Sequence, residues 1–121
     1  LHPVAHSFPT RRSSDLMARY MKNNVPGILV PDEIIDRMKA VDEPWADKGK
    51  GEMTSEDKRA RSKARKEEGI QVCIDLINEL REIEGVAGVH VMAIEWEEAV
   101  KPIVEGAGLY PRPVVEEKVA A

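Results

Sequence analysis

The sequence predicts an α/β fold: the C-terminal fragment of a TIM (β/α)8 barrel, mostly helical with one buried strand. Three observations carry that expectation. Residues 89–94 are apolar on both alternating sides apart from His90, with Val89, Val91 and Ala93 on one and His90, Met92 and Ile94 on the other. A strand with one wet face alternates apolar with polar, so this run suits a strand covered on both faces. A long helical pattern precedes it and a shorter one succeeds it, an order that matches the last portion of a βα barrel. Finally, about 105 credible residues cannot close a barrel that takes roughly 250, and no second strand is legible to pair with the first.

Each element has its own signal. Residues 17–23 read as the last turns of a helix. Val25-Pro26-Gly27 offers a turn, with proline pre-setting φ and glycine accepting positive φ. Pro31 suits a first helical position and Asp32 and Glu33 a first turn. Ile34, Ile35, Met38 and Val41 then give an amphipathic helix over 31–40. Residues 42–53 read as a loop, with Pro44, Gly49 and Gly51 among charges and Trp45 as a plug at a core edge. Thr54 and Asp57 form a capping box for a long helix to about residue 83. Its stripe is Ile70, Cys73, Ile74, Ile77 and Leu80, widened by Val72 and Leu76. After Glu95 and Trp96 a second helix begins, with Pro102 tolerated in its first turn. Gly106 or Gly108 caps its end and Pro111 stops it.

Composition narrows the functional classes. The chain has 121 residues, 42% hydrophobic and 33% charged, enough for one domain. No apolar run approaches the roughly 20 residues of a membrane span. Cys73 is the 1 cysteine, so no internal disulfide forms, which fits a reducing, cytoplasmic setting. The net charge is −4 and aromatics are few, which argues against nucleic acid as a partner. The one basic block, residues 58–66, is flanked by carboxylates and reads as a solvated helix face. Cys73 reads as a small buried apolar residue, and His90 as a satisfied core histidine.

Residues 1–16 share no period with the rest of the chain, and 6–16 resemble an in-frame translation of a sequencing adapter. They are expected to be a non-native leader, a natural disordered leader being the alternative. Without them His90 is the sole histidine, so no histidine metal cluster is expected. Residues 17–113 form the barrel portion and 114–121 a disordered tail.

Several stretches are familiar as a set. Residues 20–27, 30–33 and 68–70 and, above all, Gly88-Val-His-Val-Met-Ala-Ile-Glu-Trp-Glu97 resemble the C-terminal part of methylenetetrahydrofolate reductase, and residues 109–113 fit the same ending. The likeness is nearest to the branch found in anaerobic one-carbon metabolism. It spans residues 17–113 but only about the last third of the family's barrel.

The resemblance implies a flavin enzyme. FAD takes a hydride from NADH, NADPH or another donor and passes it to 5,10-methylenetetrahydrofolate, giving 5-methyltetrahydrofolate. It also implies an accessory iron–sulfur subunit. The family's general acid and nearly all its flavin contacts lie on earlier strands, so no catalytic or cofactor-binding residue is expected here and the chain alone is expected to be inactive. At the last strand, well-known members read His-Phe-Tyr-Thr-Leu-Asn-Arg, the arginine binding folate. That register sets His90 on the histidine, Met92 on the tyrosine, Glu95 on the asparagine and Trp96 on the arginine. Met92, Glu95 and Trp96 are thus the candidate substrate-binding residues, although only the histidine is kept. Trp96 could stack on a folate ring or cap the fold, the cap being favoured. Glu95 could bond the folate, or favour the following helix N-terminus. The competing class is a small non-catalytic helical interaction module.

Overall fold

Capping chemistry, turn residues and one close helix pair account for the architecture. The computed structural model describes residues 15–49, 51–93, 95–112 and 114. Helix α1 (Asp15–Asn24) leads into α2 (Asp32–Ala40), then a 3₁₀ turn at Glu43–Trp45. The long α3 (Ser55–Arg81) follows, then a 3₁₀ turn at Glu97–Ala99 and α4 (Val100–Gly106). Of the expected leader, only Asp15 and Leu16 fall within the described residues, as the start of α1; of the expected tail, only Val114 does.

Between α1 and α2 the chain turns where proline and glycine predict it. Gly27 has φ +80°, and the Ile28 amide donates to the Val25 carbonyl at 3.4 Å. Pro31 is the residue just before α2, with its carbonyl accepting from Ile34 and Ile35. The two helices meet over Ala18, Val30 and Ile35, with Met21, Ile28 and Ile34 around them.

The α3 start is closed by its own side chains. The Asp57 amide donates to Thr54 Oγ1 at 3.1 Å and the Thr54 amide donates to Asp57 Oδ2 at 3.1 Å. This reciprocal pair satisfies two donors that a helix start otherwise leaves open. At 27 residues, α3 is roughly 40 Å long and outreaches every other element. It has two working sides. One meets α2 through Arg37, which bonds Glu68 and Asp75. The other packs on α4 and the turn before it, burying Cys73, Ile77, Trp96, Ala99, Ile103 and Ala107.

Helix α4 ends in a Schellman motif. The Leu109 amide donates to the Val104 carbonyl at 2.8 Å and the Gly108 amide to the Glu105 carbonyl at 3.1 Å. Gly108 supplies the left-handed residue, φ +71°, and Leu109 folds back onto the core. Pro102 sits at the third position of α4, within the first turn, where its missing amide costs no helical bond. Gly106 lets α3 approach: a Cβ there would lie 2.4 Å from Ile74 Cδ1.

The expected α/β class is corrected. Among the described residues there is no strand and no sheet; the elements are all helical, so this is not a TIM-barrel fragment with a buried strand. No strand ladder runs through residues 87–93 among the described residues, and Ile94 lies outside them. The physical reason is pairing. A strand persists through a ladder of bonds to a neighbour, and the described residues offer no second β segment. The two-residue alternation nevertheless has a consequence. Val89 and Val91 pack against the α3–α4 core, while His90 and Met92 are exposed. One side of the run is covered, not two. The helices expected to sandwich it pack on each other instead. His90 is correspondingly on the surface, not in a core.

Among the described residues no helix is long and apolar enough to cross a membrane.

Candidate functional site

The corner between the extended run and α4 holds all three candidate residues. Glu95 has φ +59°, a left-handed conformation that costs a non-glycine residue about 1–2 kcal/mol. Its side chain is exposed and has no hydrogen bond or ion pair among the described residues. Strain held at a surface position, with the side chain left over, is a pattern met at binding sites.

Trp96 goes the other way. It is 7% exposed and packs with Cys73, Ile77 and Ile103. Its carbonyl accepts from the Ala99 amide at 3.1 Å and so opens the 3₁₀ turn before α4. The Lys66 ammonium lies 6.0 Å from the centre of the indole ring, at the outer edge of cation–π range. The indole is therefore enclosed by helix side chains beneath and by an ammonium above. Met92 is 48% exposed on the outer side of the run. The structure thus brings Glu95 and Trp96 together as chain neighbours that face opposite ways, with Met92 nearby on the same segment.

The basic block divides in two. Arg61 and Arg65, one helical turn apart, both turn toward Asp42 in the loop after α2. Arg61 donates from Nε to Oδ1 at 2.9 Å and from Nη2 to Oδ2 at 2.8 Å. Arg65 donates from Nε to Oδ1 at 2.7 Å and from Nη2 to Oδ2. Partial burial pushes the Asp42 carboxyl up, but the bonds and charges of the two guanidiniums outweigh it and hold the group well below the usual carboxylate range. The sequence showed the block but not this division, because the acceptor lies in a loop 19 and 23 residues away. The arginine spacing of four was the available signal. The remaining cations, Lys58, Arg59, Lys63 and Lys66, line an outward depression with Ser62.

Metal chemistry finds no support: among the described residues no group of three or more His, Cys, Asp or Glu could hold an ion. Cys73 is buried, as its place in the apolar stripe predicts. Nor do Glu95 and Trp96 suit a flavin. Trp96 commits its ring to the core, and Glu95 would repel the cofactor's phosphates. Compared with protein-family models, curated proteins and solved structures, the chain matches none.

Proposed function

We propose that this chain is one part of a flavin-dependent reductase that converts 5,10-methylenetetrahydrofolate to 5-methyltetrahydrofolate, and that it is inactive alone. The contiguous likeness of residues 88–97 to the family's last segment carries the reading. Residues 109–113 come next in the family's order. The bound FAD would supply the hydride chemistry, and no flavin contact is assigned to the residues present here. This chain contributes a corner. Glu95 is the substrate-facing residue, because its carboxylate is exposed, uncommitted and held in a strained backbone. It accepts a hydrogen bond from a donor on the folate. Trp96 is a positioning residue, whose buried indole fixes where Glu95 points. Met92 offers an apolar contact beside them. The cytoplasmic setting and an accessory iron–sulfur subunit belong to the same proposal.

A flavin titration of this chain, and of a chain extended upstream to the whole reductase, tests the reading. The short chain should give no bound-flavin absorbance, and the long one should purify yellow. An extended chain that folds but binds no flavin would overturn the assignment. In the whole enzyme, Glu95→Gln should raise the KM for methylenetetrahydrofolate with little change in kcat. An unchanged KM removes Glu95 from the substrate site.

A further inference from the structure

We propose that the outward basic face at the start of α3 is a docking surface for a short acidic peptide segment. The face consists of Lys58, Arg59, Ser62, Lys63 and Lys66, which line one shallow depression. It does not rest on the reductase reading.

The placement is what separates this face from an ordinary solvated one. Lys58, Ser62 and Lys66 recur every four residues, and the same side of α3 continues as Ile70, Cys73 and Ile77. Helix α4 and Trp96 cover that continuation. Above Trp96 no element covers it among the described residues, and the cations begin there, with Lys66 set over the indole. The neighbouring arginines show what the alternative looks like: Arg61 and Arg65 are spent on Asp42. Among the described residues no carboxylate lies within ion-pair distance of Lys58, Arg59 or Lys66, and Lys63 reaches only Glu67, at 3.8 Å. Four cations therefore stand along about 12 Å of helix with little internal use.

The chemistry of the occupant is set by what the face lacks. No aromatic side chain is exposed between the cations, so bases have no stacking platform. No apolar residue lines the depression either, and only Ala60 and Ala64 interleave with the cations, so a lipid surface gains no insertion. The helix start carries Glu56 and Asp57 in its first turn, with the Asp57 carboxylate on the Thr54 amide, and these negative charges oppose a phosphate there. The whole chain carries −4, which opposes long, dense polyanions. A few carboxylates spaced along a flexible peptide match flexible lysines as point charges.

The test is an NMR titration of the intact chain with hexaglutamate, set against a single-stranded oligothymidylate of equal charge. Hexaglutamate should shift the amides of residues 58–66 and the Trp96 indole N–H, and its affinity should fall about tenfold between low and moderate salt. The triple variant Lys58→Gln, Arg59→Gln, Lys63→Gln should weaken binding by a similar factor while keeping the helical circular dichroism. No binding, salt-insensitive binding, or tighter binding of the oligothymidylate would each overturn the proposal. The salt series on the unaltered protein decides the matter even if the variant misfolds.

Discussion

Replacing Asp42 with Asn probes how the loop after α2 is held to α3. Asn keeps the shape and one oxygen acceptor but removes the charge that two guanidiniums share. The Asp42 side chain is 17% exposed, against 31% for Arg61 and 25% for Arg65. An exposed ion pair is worth about 0.2–1 kcal/mol, whereas breaking a fully buried one costs about 3–5 kcal/mol. Solvent screening of the partly exposed arginines sets the loss between these, at about 2 kcal/mol. At roughly 3–6 °C per kcal/mol for a chain of 121 residues, Tm should fall by about 6–12 °C. Thermal unfolding followed by circular dichroism at neutral pH reads this directly. The acid limb gives a second readout. The folded carboxyl titrates well below its unfolded value of about 3.9. Its contribution is therefore complete above that value and is lost as pH falls through the folded pKa. The gap between parent and Asp42→Asn should narrow on acidification below about pH 4. A Tm change under about 2 °C, with a gap that ignores pH, would refute the clamp.

Three further perturbations test other joints. Thr54→Ala opens the capping box and should cost about 1 kcal/mol, seen as a lower urea midpoint with an unchanged slope; an unchanged midpoint would mean the box contributes nothing. Trp96→Ala removes a buried ring from the α3–α4 core and should cost about 3–5 kcal/mol, while Trp96→Phe should retain most of the stability; equal stability of Ala and Phe variants would contradict the core role. Gly108→Val places a β-branched residue at φ +71° and should cost at least about 1–2 kcal/mol; a melt identical to the parent would show that the left-handed turn is not needed.

Much of the helical architecture is legible in the sequence. Pro31 with Asp32 and Glu33 marks α2, the Thr54–Asp57 spacing marks the α3 start, and Gly108 marks the α4 end. These signals are local: each depends on a side chain meeting backbone within a few residues. The features that are not legible are non-local. The apolar run at 89–94 reports which side chains alternate, but not whether a neighbour exists to complete the ladder. Two-sided apolarity implies two-sided burial only when both faces find a cover; here Val89 and Val91 are covered and Met92 is not. The corner is legible in part, since the polarity change at Glu95 and the bulk of Trp96 both stand out. The opposite facing of the two residues is not, because it depends on a left-handed turn at a glutamate, for which the sequence offers no cue. The Asp42 clamp is hidden for the same reason as the missing ladder: its partners are brought together by the fold.

The central structural claim is that helices organise this chain and that residues 87–93 lie over them as a cover outside any sheet. Amide hydrogen exchange of those residues, read one by one in the isolated protein, addresses it most directly. Exchange close to that of an open chain at 87–91 and 93, beside strongly protected amides in the lower half of α3, is the predicted result. Slow exchange along the run, with cross-strand contacts to another segment, would contradict the account.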